Sequence, residues 1–593
     1  MCGIVGCVGK SDGREFIISG LKTLDYRGYD SAGIAFLKDK EIRIYKDAGS
    51  VSHVDSLIPD EEKANVLIGH TRWATHGKPN KINSHPHLSY NGKFALVHNG
   101  VIENFVELKN RLKDKGISFV SNTDSEVVCN LIASYFEECG DVLTAIQKSI
   151  KDIKGSYAIG LIHIREDKMY LLKNASPLLV GLGNGYNLIA SDASPMIEFT
   201  NKFIELGDEE YGYIDSKNAV IFDKNGKKIT KAFVEKEAEM IKHDLNGYDH
   251  FMLKEIEEIP TVIKRLYDFY TKGNEYHFNE SLIEKIKESD HIIFLGCGTS
   301  YHASLVGGRY FEEMLEIPTA SYIASEWAFH PMFPGKKPFI IFISQSGETA
   351  DLIHCLKIVK ERHFDTLIIT NTKGSTLERG CDYSLILHAG VEVSVASTKA
   401  YAAQVALLLL IVAAVKGDIS IANEMINSIP VIESIRNNYK EDIQHIAKEI
   451  KDERNIFYLG RGYDYYLSLE ASLKLKEISY IHSEAIAGGE LKHGPIALIE
   501  EGTPVIVFIT DEVTAASMRG NIEEVKSRGA NVFVISTKKL SRTTDKIVID
   551  QYPSHLSSII VSTVAFYLAY YVSLYKGYDV DKPRNLAKSV TVE

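Results

Sequence analysis

The rhythm of hydrophobic and polar positions changes near residue 244. Before it, apolar residues come in short runs, GIVGCV, AGIAFL, EIRIY, FALVHNG, SYAIGLIHI, KMYLLKN and LIASD, each of strand length and bounded by polar or turn residues. Two stretches, Gly13 to Leu24 and Ser125 to Tyr135, have helical spacing instead. The mixture predicts α+β layers packed around sheets. A charged segment, TKAFVEKEAEMIKHDLN, then leads into apolar strands alternating with long helices, the pattern of parallel, doubly wound α/β sheets.

The second half also repeats itself. HIIFLGCGTS, ending at Ser300, parallels NIFYLGRGYD, ending at Asp464, and each is an apolar strand, a GxG turn and a helix start. PFIIFISQSGETADLI parallels TPVIVFITDEVTAASM further on. Gly296 and Gly460 are 164 residues apart, and Ser344 and Thr510 are 166 apart, so the two units keep their internal spacing. Three domains are expected: 2–240, 241–435 including the interdomain segment, and 436–593 with the C-terminal tail.

The length of 593 residues agrees, since it exceeds what one core supports. The 67 basic and 79 acidic residues give a net charge of −12 with no basic block, so nucleic acid is not an expected partner. Seven cysteines are sparse and lack metal-ligand spacing, which predicts a reducing cytoplasm and no structural zinc. The N-terminus reads as neither a secretory signal nor a myristoylation site. Of two apolar runs, Ala400 to Val415 is short for a membrane span, whereas Leu556 to Tyr575, with 20 uncharged residues, is long enough. Ser, Thr and Tyr recur in the latter, and both are expected as buried helices rather than spans.

Candidate chemistry begins at Cys2. Removal of Met1 would give it a free α-amino group of pKa ~7.7 to 8.0, able to take the proton of a thiol of pKa ~8.5. A cysteine on an apolar strand is otherwise a packed thiol, the reading that suits Cys7. Four polar clusters accompany it: Tyr26-Arg27-Gly28-Tyr29-Asp30-Ser31, HTRWATHG from His70, His98-Asn99-Gly100, and NTDSE from Asn122. Singly each is a loop. Together with Cys2 they resemble the class II glutamine amidotransferases, N-terminal nucleophile enzymes with a four-layer αββα sandwich. The resemblance implies attack by Cys2 on the glutamine side-chain amide, with the oxyanion received by the Asn99 amide and the Gly100 N–H. Arg72 suits the α-carboxylate through two parallel hydrogen bonds, and Asp124 suits the ammonium. The resemblance also implies that Trp73, Thr75 and His76 fall in a loop that closes over glutamine, with the tryptophan gating ammonia passage.

Ser344-Gln345-Ser346-Gly347-Glu348-Thr349 follows an apolar strand and precedes a helical pattern. Hydroxyls and free N–H groups at such a helix start form an anion site without a lysine. Thr299 and Ser300 would face the same crevice at the carboxyl ends of the strands. The second copy has Thr510-Asp511-Glu512-Val513-Thr514 instead, whose acidic pair would repel phosphate, so only the first copy, about 285 to 425, is expected to hold one. The pattern resembles the sugar isomerase domain.

Glu470, Lys474 and Glu477 lie at i, i+4 and i+7, on one face of a helix. Alone, this spacing indicates a solvated Glu470–Lys474 pair worth ~0.2 to 0.5 kcal/mol. However, SLEASLKLKEISYIHSEAIAGGELKHGP and the tail from Asp581 resemble the isomerase part of the glutamine:fructose-6-phosphate aminotransferase family. That resemblance covers the chain from Cys2 to Glu593 and implies ring opening by His493, a Schiff base on Lys588, and proton transfer between C1 and C2 by Glu477. It also implies help at the sugar oxygens from Lys474 and sugar contacts at Val395 and Ala587. No metal or organic cofactor is implied, and a homodimer is, with the His493 loop completing the neighbouring subunit's sugar site. Departures are small: Glu258-Ile259-Pro260 replaces an expected Glu-Gln-Pro, Ser483, Ile486 and Gly489 vary the loop before ELKHGP, and the compact first domain lacks the insertion of longer members. Alternatives are a related enzyme acting on another ketose or amino sugar phosphate, and a sugar-phosphate sensor, which would need neither Cys2, Glu477 nor Lys588.

Overall fold

A computed structural model describes residues 2–10, 12–24, 28–73, 76–235 and 245–590. Thr75, the Tyr26–Arg27 pair, Met1 and the predicted boundary at 240/241 lie outside the described residues. The chain divides between Lys242 and His243 into two compact units.

Among the described residues, the first unit has an eight-stranded and a seven-stranded sheet. Alternation along their central strands explains the layering. On strand Gly3–Val8, Ile4 and Val8 point into a core shared with Val97, Ala158 and Leu171 of the other sheet. Val5 and Cys7 point the opposite way, against Phe16, Ile17 and Leu21 of helix Gly13–Thr23. Strand Phe94–Ile102 does the same: Ala95 and Val97 face between the sheets, while Phe94 and Leu96 meet Val127, Val128 and Leu131 of helix Asp124–Cys139. Helices thus cover both outer faces, giving αββα.

Three further helices are Val51–Ser56, Phe105–Asp114 and Val142–Asp152, the last with a regular helical period, Val142, Ala145, Ile146, Ser149 and Ile150, on its buried face. The first is short, and Phe105–Asp114 buries only Leu108 and Leu112. Side-chain caps start two of them, with Ser50 accepting from the His53 N–H and Asp141 from the Thr144 N–H.

In the second unit the duplication is plain. Two five-stranded parallel sheets share one strand order, second–first–third–fourth–fifth. Strand His291–Gly296 leads into helix Thr299–Leu315, and strand Asn455–Gly460 into helix Tyr463–Ser479, both helices of 17 residues. Their N-caps match, Gly298 at φ 53° and ψ −126° and Gly462 at φ 58° and ψ −129°. So do the left-handed C-caps Glu316 and Tyr480.

Both long apolar helices are internal. Lys399–Lys416 packs on Thr299–Leu315, and Ser562–Tyr575 packs on Tyr463–Ser479 and Ile429–Ile450. The most apolar windows of Lys399–Lys416 and of the longer helical stretch Ser554–Tyr575 are 94% and 100% buried, which accounts for their hydropathy without a bilayer.

Candidate active sites

In the first unit, Cys2 precedes a central strand and meets the end of its neighbour, Val66–Arg72. The Trp73 N–H donates to Cys2 Sγ at 3.2 Å. Burial pushes the Cys2 thiol up, and that N–H and the Arg72 guanidinium oppose the shift. Asn99 Nδ2 donates to the Cys2 carbonyl at 3.0 Å and to Ser191 Oγ at 2.9 Å, while its Oδ1 lies 3.0 Å from His70 Nε2. The same His70 nitrogen faces the His98 carbonyl at 3.0 Å, so it must be the donor, and the Asn99 amide can have only this orientation. Burial brings His70 down to about 3, which keeps the ring neutral in ordinary buffers. Next to Asn99, Gly100 sits at φ 130°, and a Cβ there would stand 2.1 Å from the Ser156 carbonyl, so only glycine fits.

Arg72 is buried, with Nη2 donating to the His76 and Gly77 carbonyls and Nη1 unpartnered among the described residues. Burial lowers Arg72 from its ordinary value, and the charges of Cys2, Asp124 and Asp30 oppose the shift. Asp124 opens its helix behind the Thr123 cap, and its Oδ2 accepts the Ile102 N–H at 2.9 Å. The structure therefore gathers Cys2, Arg72, Trp73, Asn99, Gly100 and Asp124, with His76 joined through its backbone. His70 and Ser191 complete the arrangement, although sequence reasoning did not single out either.

In the second unit, the loop after strand Pro338–Ile343 presents the hydroxyls. Ser344 Oγ accepts the Gly347 N–H at 3.1 Å and lies 2.9 Å from Thr349 Oγ1, and Ser346 Oγ accepts the Glu348 N–H at 3.2 Å. The Gln345 carbonyl takes the Asn371 N–H, tying the loop to the next strand. Gly347 is needed at φ 65°, where a Cβ would stand 2.0 Å from Ser375 Oγ. Thr349 is the N-cap of helix Ala350–Glu361, with no capping bond from its side chain. Ser300 Oγ accepts from Gln404 Nε2 at 3.0 Å, whereas the Thr299 hydroxyl turns toward Glu470 and Lys474.

Glu470 and Lys474 are not the solvated pair that their spacing alone would indicate, since these side chains are 0% and 1% exposed. Lys474 Nζ lies 2.6 Å from Glu477 Oε2, 2.9 Å from Thr299 Oγ1 and 3.4 Å from Glu470 Oε1. Burial alone would lower Lys474, but the two carboxylates outweigh it and raise it. The remaining oxygen of Glu470 lies 2.7 Å from His302 Nδ1, a contact between copies that no local motif announces.

The tail carries a second buried pair. Lys588 Nζ lies 2.5 Å from Glu392 Oε2 and 3.2 Å from Ser397 Oγ. Burial would raise Glu392, but the Lys588 ammonium and the Ala400 and Thr398 N–H groups bring it down to about 2. Asp581 anchors the tail: its carboxylate accepts the Phe251 and Met252 N–H groups at 2.8 and 2.7 Å, and its carbonyl accepts the Val395 N–H at 3.0 Å. Ala587 is half-buried beside Lys588. His493 stands apart, exposed at the end of a short 3₁₀ segment, Glu490–His493, with no hydrogen bond or ion pair among the described residues.

The second crevice is filled from within. Asp464, the counterpart of Ser300, accepts the Thr510 N–H at 2.8 Å and the Thr510 hydroxyl at 2.5 Å. An internal carboxylate thus occupies the turn, in addition to the acidic pair that the sequence showed.

A thiol beside an amide donor in one unit, and a hydroxyl-lined loop with a buried Lys–Glu set in the other, define a glutamine amidotransferase domain joined to a pair of sugar isomerase domains. Comparison agrees: residues 70–198 match the family described as glutamine amidotransferase domain, and residues 285–414 and 449–575 match the SIS domain. The chain is 44% identical over 602 residues to the glutamine–fructose-6-phosphate aminotransferase (isomerizing) of Geobacillus kaustophilus, and 44% over 604 residues to that of Listeria monocytogenes, covering 100% of every chain. A solved C-terminal domain of glucosamine-fructose-6-phosphate aminotransferase from Francisella tularensis superimposes with a TM-score of 0.54 at 31% identity, covering 57% of this chain and 100% of that one. The chain belongs to the isomerizing glutamine–fructose-6-phosphate aminotransferase family.

Proposed function

We propose that this enzyme hydrolyses glutamine at Cys2 and uses the ammonia to convert fructose 6-phosphate to glucosamine 6-phosphate. The observation that carries the reading is the presence in one chain of both chemical sets, Cys2 with Asn99 and Lys474 with Glu477.

With Met1 removed, the α-amino group of Cys2 takes the thiol proton and the sulfur attacks the side-chain amide carbon. Asn99 Nδ2 and the Gly100 N–H receive the oxyanion, Arg72 and Asp124 hold the substrate's charged ends, and Trp73, Thr75 and His76 close over it. Ammonia leaves, and water releases glutamate from the thioester. The sugar phosphate rests on Ser344, Gln345, Ser346 and Thr349 beside Thr299 and Ser300, with Val395 and Ala587 against the sugar. His493 opens the ring, and Lys588 condenses with the C2 carbonyl with loss of water. Ammonia adds at C2 and expels the Lys588 amine to leave a C2 imine. Glu477 takes the C1 proton and returns it to C2, which leaves the aldehyde at C1, while Lys474 polarises the sugar oxygens.

The division into 2–240, 241–435 and 436–593 belongs to this reading. So does a cytoplasmic homodimer, without nucleic acid or membrane, in which His493 serves the neighbouring subunit. The exposed His493, the net charge of −12 and the burial of both apolar helices support these points. Product assays on wild type, Cys2→Ala and Glu477→Gln test the reaction. Equal glutamate and glucosamine 6-phosphate from wild type, neither from Cys2→Ala, and glutamate alone from Glu477→Gln are expected. Glutamate without amino sugar from wild type would overturn the acceptor assignment.

A further inference from the structure

His302 lies in the first turn of helix Thr299–Leu315, in the first isomerase copy, and its Nδ1 reaches Glu470 Oε2 on helix Tyr463–Ser479 of the second. The distance is 2.7 Å, and the Glu470 carboxyl is fully buried. A carboxylate oxygen only accepts, so Nδ1 is the donor. Among the described residues nothing else holds Oε2, because the other contacts of Glu470, from Thr299 Oγ1 at 3.0 Å and Lys474 Nζ at 3.4 Å, fall on Oε1.

That division has a consequence at Lys474. Three oxygens surround the Lys474 ammonium, Thr299 Oγ1 in a hydrogen bond and Glu470 Oε1 and Glu477 Oε2 as ion-pair partners. If the Glu470 carboxyl turned, Oε1 would leave both Thr299 and Lys474, and the direction in which Nζ approaches Glu477 would change. Lys474 and Glu477 belong to the proton-transfer set proposed above, so an error there falls on the chemical step. The hydroxyls of Ser344 and Thr349 meet each other on a different loop, the one that follows strand Pro338–Ile343.

We propose that His302 is a positioning residue for sugar isomerisation: by fixing Glu470 across the two copies, it aims Lys474 at Glu477. This rests on the reading of the second unit as the aminating isomerase. A displacement on the order of 1 Å at reacting groups costs about 100-fold in rate, so a loss of roughly 10- to 100-fold in kcat is expected when the tie is removed.

The test uses His302→Asn, His302→Gln and His302→Leu in the full-length enzyme. Asn places an N–H donor on the γ-carbon, as Nδ1 is, whereas Gln places it one bond further out. Expected are a kcat for glucosamine 6-phosphate formation reduced on the order of 10- to 100-fold in Leu and Gln, and largely restored in Asn. Glutamate release in the presence of fructose 6-phosphate should stay within about two-fold in all three, and the fall in kcat should exceed any rise in the KM for fructose 6-phosphate that follows from the Thr299 contact with Glu470. Wild-type kcat in Leu, equal loss in Asn and Leu, or a parallel fall of glutaminase activity would overturn the assignment, the last indicating general damage. Failure of the wild type itself to form amino sugar would instead overturn the reading on which the assignment rests.

Discussion

Replacing Glu255 with Gln should shift the stability of this protein progressively in the variant's favour as the pH rises. Glu255 is 2% exposed, its Oε1 accepts the Val393 and Ser394 N–H groups at 2.5 and 3.2 Å, and its Oε2 is buried without a partner among the described residues. Burial, then the charge of Glu392, pushes the carboxyl from its ordinary 4.5 up to about 8, against the pull of Lys588 and Lys399. Between those values the native state holds a proton that the unfolded chain has lost. Stability from this group is therefore lost progressively as pH rises from 4.5 to about 8, and is level above. At ~1.4 kcal/mol per unit the window is worth about 5 kcal/mol. Gln keeps the oxygen that accepts the two N–H groups and does not titrate. Thermal unfolding of both proteins at matched scan rates and pH 5, 6, 7 and 8 measures the difference. The variant's advantage should widen by roughly 5 °C across the series, at about 1 to 2 °C per kcal/mol for a unit spanning residues 243–588. A constant gap, or one that narrows with pH, would refute the assignment of a protonated Glu255.

Asn99→Ala should lower glutamine hydrolysis by about 10²- to 10³-fold in kcat, the usual effect of losing one oxyanion donor, with ammonia-dependent amino sugar synthesis retained; a stopped glutaminase assay reads this. Arg72→Lys should raise the KM for glutamine on the order of 10- to 100-fold, because an ammonium cannot supply two parallel hydrogen bonds, and steady-state kinetics would show it. Gly347→Ala strains a positive-φ turn by about 1 to 3 kcal/mol and should raise the KM for fructose 6-phosphate while leaving the KM for glutamine unchanged.

Legibility in the sequence followed the locality of the signal. Arg72, Asn99, Gly100 and Asp124 were singled out because each belongs to a dense local cluster, and Cys2 because of its position; the structure brings them together from neighbouring strands of one sheet, a strand of the other sheet and a helix start. The isomerase duplication was legible from spacing alone, and the matched caps at Gly298 and Gly462 give that spacing a physical basis. His302, Glu255 and Glu392 were not legible. His302 meets Glu470 at a separation of 168 residues, and Glu392 meets Lys588 at 196. Asp464 was passed over for the same reason: its role depends on Thr510, 46 residues on. Spacing correctly put Glu470 and Lys474 on one face, but the solvated reading failed because burial of that face depends on the other copy's helix.

The most direct test of the central claim follows the nitrogen. The enzyme is given glutamine labelled with ¹⁵N in the side-chain amide, fructose 6-phosphate and an excess of unlabelled ammonium, and the amino sugar is analysed by mass spectrometry. Glucosamine 6-phosphate carrying the label, formed in step with glutamate, is the expected result. Glutamate accompanied by unlabelled amino sugar, or by none, would contradict it.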